Sequence, residues 1–297
     1  MVQILDLGHV GDDYYIVMEL IKGPSVGAVL GHADGGLPWE VAGEIVAQVC
    51  DGLHAAHELR DADGTRLGLV HRDVSPSNIM VTDNGGVKLV DFGIAKARDS
   101  VIETDAGRVK GKTCYLSPEA CRGAAVDRRA DLFALGATFF ELLRGQRLFK
   151  RESHVDTFRA ICDEPIPDPR SVRPDLPAPV ARVLLHALER DPSRRFATAE
   201  EMGGALRAAS AGLLSPLVLG EFLRKRCANL FERRAAQVRV AETRAADDTP
   251  TVLETNPLQV GPPVGRAGGG FSWSSPWSPR RSRGARFCDA APGRRDP

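Results

Sequence analysis

The chain lacks an excess of either charge: its 39 basic and 39 acidic side chains cancel. That removes the global electrostatic argument for nucleic acid or an anionic membrane as a partner. It also lacks any Cys-x-x-Cys pair, and the six cysteines, at 50, 114, 121, 162, 227 and 288, stand at no spacing suited to zinc or to a disulfide framework. A reducing, cytoplasmic setting is the expectation. No basic region followed by an apolar run and a cleavage site opens the sequence, and the longest apolar stretch, 208–220, is too short and interrupted to span a bilayer. No internal repeat is visible. With 43% hydrophobic and 26% charged residues among 297, what remains is a globular chain with room for one sizeable domain and appendages.

Val2-Gln3-Ile4-Leu5, a turn at Gly11-Asp12-Asp13, and Tyr14 to Leu20 read as strand, turn, strand. From Trp39 to Leu59 the residues Val41, Ile45, Val49, Leu53 and Ala56 recur at helical spacing and predict a long helix with one buried face. Residues 79–81 and 87–90 are short strands around Asp83-Asn84-Gly85-Gly86, which sets Asn78 and Asp91 side by side as flanks of one hairpin. Asp131 to Leu143 is nearly all apolar and predicts a central core helix, and Val180 to Arg190 a further helix after a proline-rich loop. Beyond about residue 211 an Arg/Ala/Glu-rich helical stretch, 221–245, gives way to a Gly/Pro/Ser/Arg composition expected to be disordered.

Transfer of a phosphoryl group from ATP needs a carboxylate that orients the attacking hydroxyl, ligands for divalent metal, and a cation near the γ-phosphate. Candidates stand in order in this sequence: His71-Arg72-Asp73 with Asn78, then Asp91-Phe92-Gly93, then Ser117-Pro118-Glu119. Three motifs in this register are highly specific. They make residues 2 to about 208 resemble a bacterial protein kinase of the eukaryotic-like, Hanks type. The resemblance implies an α+β, two-lobed kinase fold with a truncated small lobe and a mainly helical large lobe. Its domain division is a kinase domain over 1–210, a helical extension over 211–246 and a disordered tail over 247–297.

By that resemblance Asp73 is the catalytic carboxylate, Asn78 and Asp91 are magnesium ligands, and ATP with Mg2+ is the donor. Met18 is the gatekeeper of a hinge whose backbone at Glu19 and Ile21 faces adenine, with Met80 against the ring. Without the resemblance, Met18 and Met80 read as core methionines. Glu119 is expected to pair with Arg195, and Asp131 to brace the catalytic loop. Tyr115-Leu116-Ser117-Pro118-Glu119 is similar to the Ser/Thr class, so protein Ser/Thr hydroxyls are the expected acceptors. Arg72 implies an activation loop ordered by phosphorylation, with Thr104 the expected site of autophosphorylation and Ser100 and Thr113 behind it, against plain solvated loop residues.

Two departures from the family pattern fall together: Ser75 stands where lysine is usual, and Lys112 where threonine is usual. The expectation is an exchange, in which Lys112 supplies the ammonium near the γ-phosphate and Ser75 the small hydroxyl. The competing reading is a solvated Lys112 in a decayed site.

The resemblance begins at the fourth strand of the kinase small lobe. The glycine-rich loop, the strand lysine and its glutamate partner have no counterpart in these residues; residues 31–36, rich in glycine, match no phosphate loop and read as a flexible connector. The chain by itself is therefore expected to be poorly stable and to turn over little ATP, and Met1 to be a start inside a longer gene. The rival reading is a non-catalytic kinase-like binding module or a gene fragment; a small-molecule phosphotransferase fits less well because of Phe92-Gly93 and Ser117-Pro118-Glu119. In the tail, Trp273 and Trp277 precede Arg280-Arg281-Ser282-Arg283. A shifted reading frame and a basic, aromatic interaction tail both remain open there.

Overall fold

A computed structural model of the protein describes residues 1–10, 13–33, 35–91, 112–210 and 212–247. Two antiparallel strands open it, β1 (Ile4–Val10) and β2 (Asp13–Met18), with Gly8 opposite Tyr15. β1 starts later and runs further than expected, and Val2 turns to another partner, its N–H donating to Leu89 C=O at 3.0 Å. The tether joins the opening hairpin to the rest. Much of this hairpin's apolar surface is open, Leu5 being 59% and Tyr15 47% exposed.

Helix α1 (Val26–Gly31) is short and starts where Ser25 Oγ accepts from Ala28 N–H at 3.2 Å. Helix α2 (Trp39–His57) then buries all five residues of the predicted stripe, Val41, Ile45, Val49, Leu53 and Ala56. The connector between them is packed. Leu37 N–H donates to Leu142 C=O at 2.7 Å, and a Cβ on Gly36 would lie 1.9 Å from Leu143 O. Glycine there permits a close backbone approach, so the flexible connector expected from composition is a packing joint at both of these residues.

The hairpin of β3 (Ile79–Val81) and β4 (Val87–Leu89) pairs Ile79 with Leu89 and Met80 with Lys88. Helix α3 (Pro118–Cys121) is one turn. Helix α4 (Arg129–Arg144) is the core element, with Leu132, Phe133, Leu135, Phe139, Phe140 and Leu142 sealed from solvent. Gly145 closes it in the left-handed conformation, φ +77°, its N–H returning to Glu141 C=O at 2.7 Å. Helix α5 (His154–Cys162) packs on α3, α6 (Pro169–Val172) and α7 (Ala178–Ala187) on α4, and α8 (Ala199–Ala209) on α2 and α7. The α+β expectation holds, with two two-stranded sheets and a helical majority among the described residues.

The predicted single helix over 221–245 is two: α9 (Pro216–Arg226) and α10 (Ala228–Asp247), broken at Cys227. Both pack back. Leu219, Leu223, Leu230 and Val238 are buried, Arg224 donates to Asp83 C=O at 2.5 Å, and Arg234 Nε donates to Ile21 C=O at 3.4 Å. Residues 1–249 form one compact unit. Of the tail expected over 247–297, Asp247 is instead the last residue of α10, and the rest lies outside the described residues, as does residue 211.

Candidate active site

The site is assembled on the C-terminal side of α2 and the N-terminal turn of α4. Asp131, in the first turn of α4 and 1% exposed, accepts from the backbone N–H groups of His71 and Arg72, both at 2.8 Å. His57, in the last turn of α2, donates Nε2–H to the same carboxylate at 2.8 Å. One buried carboxylate thus gathers α2, α4 and the 71–73 loop. It also holds Arg72 at φ +63°, a left-handed conformation that residues other than glycine seldom adopt. The predicted brace at Asp131 is present, and His57 shares its work.

Asp73 follows directly. Asn78 Nδ2 donates to both the Asp73 backbone oxygen at 2.9 Å and its Oδ2 at 2.8 Å. With its nitrogen committed to Asp73, the Asn78 amide turns Oδ1 the other way. Val90 N–H donates to Asn78 C=O at 2.9 Å, extending the β3–β4 ladder by one bond and bringing Asp91 next to it at the open end of the hairpin. Asp91 takes φ +58°. Phe92 and Gly93, the rest of that motif, lie outside the described residues, as do Ser100 and Thr104.

Lys112 enters this group from the far side. Its Nζ donates to Asp73 Oδ2 at 2.5 Å and to Asn78 Oδ1 at 3.1 Å. The ammonium is 38% and the Asp73 side chain 12% exposed, so the contact is worth little as a stabilising ion pair and more as a placement of charge. Ser75 is buried beneath, its hydroxyl 3.0 Å from that of Ser77. A lysine at position 75 would start from this buried place; the cation actually present arrives from 112.

The segment that carries Lys112 is well anchored. Tyr115 O–H donates to Glu141 Oε2 at 2.5 Å, burial raising the phenol pKa with the Glu141 charge adding to it. Thr113, the described one of the three candidate phosphorylation sites, has its Oγ1 3.3 Å from His154 Nδ1. Further on, Glu119 and Arg195 form the expected pair as a two-bond fork, 2.7 Å for each bond. Burial alone would raise the Glu119 carboxyl, yet the guanidinium overrides it and holds the pKa below the ordinary value.

The residues expected to form the hinge have partners of their own. Glu19 N–H donates to Gln3 C=O at 2.9 Å and its carboxylate meets Lys88 Nζ at 2.9 Å, which lowers its pKa. Ile21 is buried and its carbonyl accepts from Arg234 of α10. Met18 and Met80 are half-buried. Among the described residues no group of three His, Cys, Asp or Glu side chains suited to a metal occurs. Asn78 and Asp91 instead offer two hard oxygen donors, the chemistry that suits a hydrated Mg2+ with few protein ligands.

The protein kinase domain family matches residues 1–204. Among curated proteins the chain is similar to the tyrosine-protein kinase MasK of Myxococcus xanthus, 40% identical over 230 residues, covering 75% of this chain and 36% of the relative. It is similar to the serine/threonine-protein kinase PknB of Mycobacterium leprae, 38% identical over 200 residues, with 67% and 30% covered. The serine/threonine-protein kinase PrkC of Bacillus subtilis is 35% identical over 209 residues, with 70% and 31% covered. The chain thus spans about a third of the length of these relatives.

Proposed function

The chain belongs to the protein kinase family, and on that footing we propose that its site transfers the γ-phosphate of ATP to serine and threonine hydroxyls of proteins. The observation that carries the reading is the cluster of Asp73, Asn78 and Lys112 within hydrogen-bond distance of one another, Lys112 arriving from 39 and 34 positions beyond the other two. Asp73 orients the acceptor hydroxyl and takes its proton as the oxygen attacks the γ-phosphorus and the bond to the bridging oxygen of ADP breaks. Lys112 places its ammonium beside that carboxylate, where negative charge on the transferred group develops. Asn78 and Asp91 would hold Mg2+, which when bound neutralises the phosphate oxygens. Met18, Met80 and the backbone of Glu19 and Ile21 would receive adenine. Thr104 is the proposed site of autophosphorylation.

The relatives differ in the acceptor that their names give, tyrosine for MasK and serine/threonine for PknB and PrkC. Ser117-Pro118-Glu119 after Tyr115-Leu116 supports the second. The test is phosphoamino-acid analysis of a mixed protein substrate labelled from γ-labelled ATP, with small alcohols added as competitors. Because the 297 residues contain no glycine-rich loop and no strand lysine, the assay is run on the chain alone and on the chain with the preceding small-lobe segment of a relative fused ahead of it. Phosphoserine and phosphothreonine, insensitive to the alcohols, are expected from the fused protein. Phosphotyrosine, or label captured by the alcohols, sinks the reading.

A further inference from the structure

Next to the Tyr115 ring, a cleft of about 370 Å3 opens between the end of α4 and the entry to α5. Its charged walls are Arg144, Arg147, Lys150 and Arg151 against a single carboxylate, Glu164. The charges are not equally committed. Arg151 is taken up by Glu164 and by the carbonyls of Leu148 and Lys150. Arg147 leans over the Tyr115 ring, 6.0 Å to its centroid, and stands 3.8 Å from Glu141, whose carboxyl burial pushes toward the neutral form against the pull of Tyr115 and Arg147. Arg144 and Lys150 are exposed and have no carboxylate within ion-pair distance among the described residues. The cleft is thus a concave surface with excess positive charge, next to the element that delivers the ammonium to Asp73.

We propose that this cleft binds carboxylate side chains of the acceptor polypeptide, so that serine or threonine is taken within an acidic sequence. This deepens the kinase reading above and rests on it. Lys112 caps the single 3-10 turn that ends at Tyr115, about 6 Å on, and the Arg147 guanidinium lies over the Tyr115 ring, 6.0 Å from its centroid. The cleft is therefore a few residues of extended peptide, at about 3.3 Å each, from Asp73. Exposed guanidinium and ammonium groups meet carboxylates there without first breaking an internal pair. The chain's own candidate acceptor obeys the same charge rule: Thr104 stands between Glu103 and Asp105, with Asp99 before them.

The experiment measures binding by fluorescence anisotropy with the full 297-residue protein and three labelled serine peptides. These carry Glu, Gln or Lys at about three to five residues on either side of the serine. The Glu peptide is expected to bind about tenfold tighter than the Gln peptide, with the gap closing at high salt. The double variant Arg144→Gln/Lys150→Gln is expected to erase that gap, and Arg144→Glu/Lys150→Glu to turn the preference toward Lys; circular dichroism confirms that each still folds. Equal binding of the three peptides, or a Glu preference untouched in both folded variants, overturns the proposal. Its failure is separable from failure of the kinase reading: phosphoryl transfer without the Glu preference removes the cleft alone, whereas the preference without transfer leaves the cleft and removes the chemistry.

Discussion

At the scale of single residues, the exchange between positions 75 and 112 decides whether the site is competent or decayed. A solvated lysine would point away; Lys112 Nζ instead sits 2.5 Å from Asp73 Oδ2. Lys112→Ala should lower phosphoryl transfer by about 100- to 1,000-fold in the fused protein, and Lys112→Ala with Ser75→Lys should regain part of it. Rates that show no regain in a folded double variant would leave Lys112 as a structural contact only. Glu119 supplies a second test. Its folded pKa lies below the ordinary carboxylate value of about 4.3, so the pair with Arg195 contributes stability above that pH and loses it as the pH falls through the folded value. Glu119→Gln should be less stable near neutrality by about 3 kcal/mol, yet urea midpoints should fall less steeply for it than for the wild type between about pH 6 and pH 3. Parallel pH curves would remove Glu119 from the acid response.

Asp73, Asn78 and Lys112 were legible because short motifs carry fixed spacings and because the two departures from the pattern pointed at each other. The part played by His57 was not. It depends on a partner 74 residues away, and a histidine on a buried helix face gives no sign of which carboxylate it will meet. The same holds for Tyr115, whose hydroxyl finds Glu141 only once α4 is in place.

At the scale of elements, the contact of α9 with the β3–β4 turn is the feature that composition hid. An Arg/Ala/Glu-rich stretch reads as an appendage, while its two glycine-mediated approaches depend on the fold. A Cβ on Gly220 would lie 2.6 Å from Gly85 N and 2.7 Å from Asp83 O, and Gly85 itself is left-handed at φ +78°. We propose that residues 216–247 fold as part of the large lobe and steady the hairpin that carries Asn78 and Asp91. Gly220→Ala should destabilise the protein by about 1–3 kcal/mol, and hydrogen exchange should show lost protection in α9, α10 and the 82–86 turn together. Loss confined to α9 would show that the helix is a passive neighbour. The long helices α2 and α4 were read well from periodicity, to within two residues at each end, because each buries one sustained face or a whole core. The break at Cys227 was missed since polar helical sequence continues across it.

At the scale of the molecule, the helices among the described residues bury a continuous core, while the opening hairpin carries exposed apolar residues such as Ile4, Leu5 and Val17. No helix among the described residues is long and apolar enough to cross a membrane. The loop that carries Asp73 is held by Asp131 and the helices, through hydrogen bonds in which the opening hairpin has no part. A small-lobe segment supplied from a relative should consequently find its site already formed. The most direct measurement is the rate of γ-phosphate transfer to a serine protein substrate by that fused protein, beside its Asp73→Asn variant. The account predicts transfer that falls by at least about 1,000-fold in the variant, with little transfer by the 297-residue chain alone. A folded fused protein that transfers nothing, or one whose rate survives Asp73→Asn, would contradict it.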